Sequence, residues 1–389
     1  MITDILIEIA LAIGRMFLNP VLYVSIIVAV ILGYQRVKRE RKYFHVRILW
    51  GWTEAIGLIK DGLLFALIIS ILSIAFGLTV PLELLFVLTI ISLIALIIYV
   101  FHILSPIILF ALSILVLWAF DYLGWKINLF GIEINGITMS EGTVVTATIL
   151  AGLLVVAEGL LIRKKGAQIA SPIVENSKRG LRGVAFTSKR AWILPIFLVI
   201  PGSVIDAYFP WWPQFSLGST QFSLILFPVV IGFQQLTRSK LPIYFYPKLG
   251  RAVIILGEIV IIGGLVAYFL PFVGFLTLIV GAIIRIGISY IYSTGQQKDV
   301  YAVSAKSGGV MIAGILPNSP AEKMGLVVGE IIRKVNGVEV QTERQLYEAL
   351  QVNAAHCRLE VLNHEREVRL AQHVVHNNDH HQIGLLIAE

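Results

Sequence analysis

Nine stretches of this chain are apolar over about the length that crosses a bilayer: 20–34, 62–80, 82–101, 103–123, 142–162, 192–209, 219–236, 252–270 and 272–293. A spanning helix needs about 20 such residues. The sequence therefore predicts a polytopic α-helical membrane domain of about eight or nine helices within residues 1–298. Pro81 and Pro271 separate paired runs, as in helical hairpins with short turns. Residues 4–18 are short and carry Glu8 and Arg15, so they either lie amphipathically at the interface or extend the first span.

Composition points the same way. The chain is 57% hydrophobic and 14% charged, where soluble domains sit near roughly 45–50% and about 25%. Charge then divides it in two. Residues 1–298 carry 23 Lys/Arg against 13 Asp/Glu, and residues 299–389 carry 8 against 11. This change of sign and hydropathy sets a boundary near Gln296–Asp299, with a small second domain over 299–389. The single cysteine, Cys357, excludes an intrachain disulfide. The opening MITDILIEIALAIGR lacks a basic n-region and a small-residue cleavage site, so it is expected to be retained.

Lys and Arg gather in loops on the cytoplasmic side of a membrane. Segment 35–60 holds seven, 163–190 eight and 237–251 four, whereas 122–141 has only Lys126 and 207–220 has none. Trp211 and Trp212 mark the last loop as an interfacial anchor. The alternation predicts that residues from 294 onward are cytoplasmic, with the basic loops facing anionic lipid head groups rather than nucleic acid. Ionisable residues inside spans are costly, and here they are Glu158, Asp206, Glu258 and Arg285. Glu258 and Arg285 fall about 9 and about 12 Å from the cytoplasmic ends of consecutive antiparallel helices, at 1.5 Å rise per residue. They are the expected intramembrane ion pair. Asp206 belongs near the outer surface beside Tyr208.

Residues 299–389 follow the rules of a small soluble fold. Ser319-Pro320-Ala321-Glu322 is a capping box with proline at the first helical position, and Gly325 stands where that short helix stops. EIIRKV (330–335) and VEV (338–340) are strands joined by Asn336-Gly337, a strong two-residue hairpin signal. Thr342 caps a second helix, with Gln345 three residues on and Leu346, Ala349 and Leu350 as its apolar face. CRLEVL (357–362) and EVRLAQ (367–372) alternate inward and outward and join through Asn363-His364.

The run GGVMIAGILPNSPAEKMGLVVGEIIRKVNGVEV (308–340) resembles the PDZ family strongly, and the resemblance covers roughly 299–389. It implies a small β-rich α+β domain that binds an extended peptide, usually a free C-terminus, as an added strand. The carboxylate-cradling loop is matched by Ile383-Gly384-Leu385-Leu386-Ile387 at the chain's end. In the family that loop usually precedes the strand equivalent to 309–315, so the order here implies a circular permutation. SAKSGG (304–309) is the other candidate for the loop. By the same resemblance Tyr347 and Leu350 face the groove. His373, His376, His380 and His381 lie in or beside a polar loop without cysteine spacing, which reads as a solvated, pH-responsive segment rather than a metal site.

A membrane protein with a PDZ domain invites a protease reading, but the catalytic inventory is empty. The only His-Glu pair, His364-Glu365, continues Arg-Glu-Val and lacks the H-E-x-x-H spacing that puts two zinc ligands on one helical face. Ser203 has no base at its depth, since His102 belongs near the opposite face. No catalytic residue and no cofactor is expected. Over its full length the chain resembles the MinJ proteins of Gram-positive rod-shaped bacteria, in architecture, in the GILPNSPAEKMGL run and in the DHHQIGLLIAE ending. That resemblance implies a non-catalytic scaffold in division-site selection, bridging DivIVA to MinD and so placing the MinCD inhibitor at septum and poles. A membrane adaptor for a protease or signalling protein is the alternative reading, and a PDZ-containing membrane protease or a transporter the one beyond it.

Overall fold

The computed structural model describes residues 2–129, 132–135, 141–176, 182–206, 221–296, 301–304, 308–352, 356–374 and 383–387. The chain begins with α1 (Ile2–Leu18), α2 (Pro20–Phe44), α3 (Thr53–Lys60), α4 (Leu63–Phe76), α5 (Leu82–Ile97) and α6 (Pro106–Leu123). A short hairpin, β1 (Lys126–Leu129) and β2 (Ile132–Asn135), leads to α7 (Glu141–Lys165). Three strands follow, β3 (Ser171–Asn176), β4 (Arg182–Asp206) and β5 (Gln221–Thr237), then α8 (Pro242–Ala267) and α9 (Pro271–Thr294). Pro20, Pro106, Pro242 and Pro271 each open a helix, where a fixed φ suits the first turn and a missing N–H costs nothing. Among the described residues, six helical stretches are long and apolar enough to cross a membrane, and α5 is a shorter apolar helix.

Two expected spans are not helices. Runs 192–209 and 219–236 fall on β4 and β5, which pair antiparallel from Phe186↔Thr237 to Asp206↔Gln221, with an irregularity between Pro201 and Ile205. The outer loop with Tyr208, Trp211 and Trp212 lies outside the described residues. Pro195, Pro201 and Pro228 explain the choice: each would remove a hydrogen bond and clash inside a helix, while the intervening Val, Ile and Phe residues suit strands. A two-stranded hairpin leaves two unpaired edges, which hydrocarbon cannot satisfy. Helix α4 and the connections on either side of α5 supply the partners. Val80 N donates to Val199 O (2.8 Å), Gly232 N donates to Leu104 O (3.0 Å), and Phe197 N donates to Ser70 Oγ (2.9 Å). Glu8 and Arg15 do the same from α1. Leu224 N donates to Glu8 Oε1 (3.1 Å), Arg15 Nη1 donates to Leu224 O (2.7 Å), and the two side chains pair with each other at 2.7 Å. The polar residues of the first helix thus close the edge of β5.

Glycine sets the closest helix contact. Gly152 and Gly159 of α7 and Gly250, Gly257 and Gly264 of α8 recur every seven residues. A Cβ on Gly257 would lie 2.7 Å from Val156 N and 3.0 Å from Gly152 O; one on Gly159 would lie 2.8 Å from Gly250 O. Without attraction between apolar surfaces in lipid, such backbone approach drives helix association. It makes α7 the central helix, with 83% of its spanning window buried.

The second domain comprises β6 (Val303–Ser304), β7 (Val310–Ile315), α10 (Pro320–Lys323), β8 (Ile331–Val335), β9 (Val338–Glu339), α11 (Glu343–Gln351), β10 (His356–Leu362), β11 (Val368–Val374) and β12 (Leu385–Ile387). Its sheet runs β11-β10-β8-β7-β12, with β9 beside β8. Ser319 accepts from Glu322 N (3.3 Å) and Thr342 from Gln345 N (3.2 Å), so both expected caps form. Asn336 and Gly337 take φ 50° and 87°, as the two-residue turn demands. Strand β7 is buried on both faces, hence its unbroken VMIAGI. Val310 and Ile312 enter the domain core with Leu346, Leu359 and Val361. Met311 and Ala313, with Leu386, pack on Val184 and Phe186 of β4, Val303, and Phe44 of α2. The domain is strapped to the bundle: β6 pairs with Gly183 and Val184, and Ala302 N donates to Arg238 O (2.8 Å).

Candidate peptide groove at the domain junction

The last strand, β12, is the terminal strand of its sheet and pairs antiparallel with β7 through Leu385↔Ile315 and Leu386↔Gly314. Gly384 enters it at φ 86°, a left-handed conformation that favours glycine, and a Cβ there would collide with the Ser319 side chain. Its carbonyl accepts from Leu316 N (2.8 Å), and that of Ile383 accepts from Ala321 N (2.9 Å), so the loop is anchored to both ends of the β7–α10 connection. Facing it, α11 buries Leu346 and Ala349 in the core and leaves Tyr347 39% exposed. Burial, and then the neighbouring Glu343, push the Tyr347 phenol above its ordinary pKa.

A cavity of about 260 Å³ lies between these elements. Gly384, Leu385, Leu386 and Ile387 line one side, and Glu343 and Tyr347 line the other. Ile383 and Leu350, named from the sequence with them, pack instead against the domain core. Gly309, from the alternative loop, closes on Ile332 O at the start of β7, while residues 305–307 lie outside the described residues. A strand edge with no ladder partner among the described residues and a facing helix can take an extended chain by backbone hydrogen bonds.

No sequence signal pointed to the third wall, which comes from the membrane domain: Tyr43, Phe44, His45 and Val46. His45 ends α2 at φ 60°, its N–H donating to Arg41 O (3.0 Å), and so turns the chain back across the second domain. A buried network holds this segment. Arg36 Nε donates to Glu54 Oε1 (2.6 Å), Nη1 to Glu40 Oε1 (2.9 Å) and Nη2 to Trp50 O (2.8 Å), while Glu40 Oε2 accepts from Ile48 N (2.8 Å).

Residues 311–363 match the family described as PDZ domain. Over 386 residues, 98% of this chain and 96% of the relative, the sequence is 30% identical to the cell division topological determinant MinJ of Bacillus subtilis (strain 168). The chain belongs to the MinJ family. It is also 23% identical to the probable MinJ of Lacticaseibacillus paracasei over 72% of this chain and 77% of that one, with the same figures for Lacticaseibacillus casei (strain BD-II). These MinJ relatives are named as topological determinants, a non-enzymatic role. As a MinJ-family member the chain is a helical membrane domain followed by a PDZ domain, with a role in cell division.

The intramembrane ion pair is not the one the sequence predicts. Arg285 pairs with Glu158 of α7: its Nε donates to Glu158 Oε1 (3.1 Å), its Nη2 donates to the same oxygen, and Ser105 Oγ donates to Oε2 (2.7 Å). Both members are buried. Glu258 is exposed on α8. The reason is rotational. Gly257 is turned onto α7, and the next residue lies about 100° further round the 3.6-residue helix, off that contact. Of the histidines, His364 sits in the β10–β11 turn against Val328 O (3.0 Å) and the ring of Tyr244. His376, His380 and His381 lie outside the described residues. Cys357 is buried in the PDZ core, which pushes its thiol up to about 11.

Proposed function

We propose that this protein is a non-catalytic membrane scaffold of division-site selection that holds a peptide-reading PDZ domain against the inner face of the cell membrane. One observation carries the reading: a sheet-edge strand, Leu385–Ile387, opposes a helix, α11, across a cavity in a domain fixed to a membrane bundle. An edge strand offers the backbone groups that strand addition uses, and confinement to a surface layer raises the effective concentration of a membrane-bound partner. The basic segments 35–60, 163–190 and 237–251 put the PDZ side in the cytoplasm beside anionic lipids. By family resemblance the partners are DivIVA and MinD, and the scaffold links them at septa and poles.

The test is a fluorescent fusion in dividing cells, with the chromosomal copy deleted. Septal and polar signal, rescue of cell length, and loss of both with Gly384→Val at unchanged protein level are expected. A uniform peripheral signal, or full rescue by Gly384→Val, contradicts the reading. A C-terminal tag reached by an impermeant protease from outside contradicts the orientation.

A further inference from the structure

We propose that the groove is composite: residues 41–47 of the membrane domain form a cationic wall that selects an acidic tail ending in a free, apolar carboxyl terminus. The inference rests on the peptide-reading role of the groove and goes beyond it by assigning part of the recognition to the membrane domain.

Three observations support it. First, the cavity has walls from both domains, with Tyr43–Val46 opposite Gly384–Ile387, and Leu316 joins it to a second cavity of about 410 Å³ lined by Arg47, Trp50 and Asn318. The first cavity alone is smaller than the roughly 300–1,000 Å³ of ordinary ligand sites, and the second falls within that range. Second, the wall is built rather than draped. Glu40, fully buried, fixes the Ile48 amide, and Arg36 fixes the Leu49 and Trp50 carbonyls. Third, the charge on this segment is of one sign. Arg41, Lys42 and Arg47 are all exposed, and none has a carboxylate partner among the described residues, while the acidic side chain lining the cavity, Glu343, belongs to α11. The Arg36 partners Glu40 and Glu54 are already engaged behind it. Exposed cations with no carboxylate partner among the described residues, flanking a cleft, raise the local concentration of anionic ligands. Leu385 and Ile387 offer the apolar surface for the last side chain, and the Gly384 loop is the matched site for its carboxylate.

The experiment uses the full chain in neutral phosphatidylcholine nanodiscs and a random library of fluorescent octapeptides with free or amidated C-termini. The wild type is expected to enrich free-carboxylate peptides with Asp and Glu upstream of an apolar last residue. His45→Glu/Arg47→Glu, at two exposed positions, is expected to weaken those peptides about tenfold and to abolish the acidic preference, the difference shrinking as salt rises. Gly384→Val separates the two levels. If the wild type and Gly384→Val enrich the same peptides, the groove reading fails. If Gly384→Val alone loses them while the charge-reversed chain keeps the same peptides at the same affinity, the groove stands and the composite wall is overturned. A charge reversal that alters only association with phosphatidylglycerol vesicles assigns the cations to lipid and likewise overturns the proposal.

Discussion

Replacing Glu158 tests the bundle at its most costly point. The carboxylate is fully buried and accepts two hydrogen bonds from Arg285 and one from Ser105. Glu158→Gln keeps an acceptor for Arg285 and a polar partner for Ser105, so the loss is the negative charge rather than the hydrogen-bond count. Arg285 keeps its charge, 5% exposed, with the Ser289 hydroxyl as its one further hydrogen-bond partner among the described residues. Orphaning one member of a buried pair costs about 3–5 kcal/mol, whereas replacing both members is often close to neutral. Glu158→Gln and Arg285→Met should therefore each destabilise by about that much, and the double variant by about 1–2 kcal/mol, a coupling of several kcal/mol. The assay is the unfolding free energy in mixed micelles titrated with SDS, read by tryptophan fluorescence. Glu258→Gln is the control, since that side chain is exposed on α8, and it should not couple to Arg285→Met. Additive effects of the Glu158 and Arg285 substitutions, or strong coupling of Glu258 to Arg285, would refute the assignment.

Three further outcomes follow from particular contacts. Gly257→Ala places a Cβ against the Val156 amide and the Gly152 carbonyl of α7, backbone atoms that cannot rotate away; it should destabilise by about 1–3 kcal/mol, while Gly287→Ala on α9, with open space around it, should be neutral or slightly stabilising on thermal melts. Glu40→Gln weakens the brace on residues 48–50, and hydrogen exchange at the Ile48 amide should accelerate at least tenfold, with amides of the PDZ core unchanged. The Cys357 thiol, pushed to about 11 by burial, should resist iodoacetamide at pH 8 until the domain unfolds. Because the folded pKa is raised, the contribution of this group is intact below the unfolded value of about 8.5 and is lost as pH climbs toward 11; chemical denaturation of the full chain between pH 8 and pH 11 checks it.

The PDZ half was legible because its signals are local. Ser319, Thr342 and Asn336-Gly337 each dictate a cap or a turn within four residues, and the structure forms all three. The membrane half was legible as apolar length but not as secondary structure. Run 219–236 has the hydropathy of a spanning helix, and only its chemistry favours a strand: proline at 228 inside a run rich in Phe, Ile, Val and Leu. A hairpin in lipid is also untenable alone. Its feasibility depends on Glu8, Arg15, Ser70 and the Val80 and Leu104 backbone, partners far away in sequence. The misassigned ion pair has a different origin. Residue spacing gives position along a helix but not azimuth, and azimuth is encoded in the glycine heptads at 152, 159 and 250, 257, 264.

The hairpin also answers why a membrane anchor for a PDZ domain is more than a tether. Helical spans end at the bilayer and leave a loop to carry whatever follows. Strand β4 does not end there. Trp192 to Ile200 lie within the core of the bundle, and on the same strand Val184 and Phe186 pack against Val303, Met311 and Leu386 of the PDZ side. Since Leu386 sits between Leu385 and Ile387 on β12, one continuous strand joins the membrane core to the back of the candidate groove. Under the proposed peptide-reading role, strand addition at β12 acts on an element whose far face is already seated on the bundle. A partner tail that moves β12 displaces Leu386 from Phe186, so binding and domain docking share one free energy. The sign of that coupling is measurable as the ratio of peptide affinities for the parent chain and for Phe186→Ala, in which the seat is loosened while every groove residue is kept. A ratio of one would mean that the strand transmits nothing.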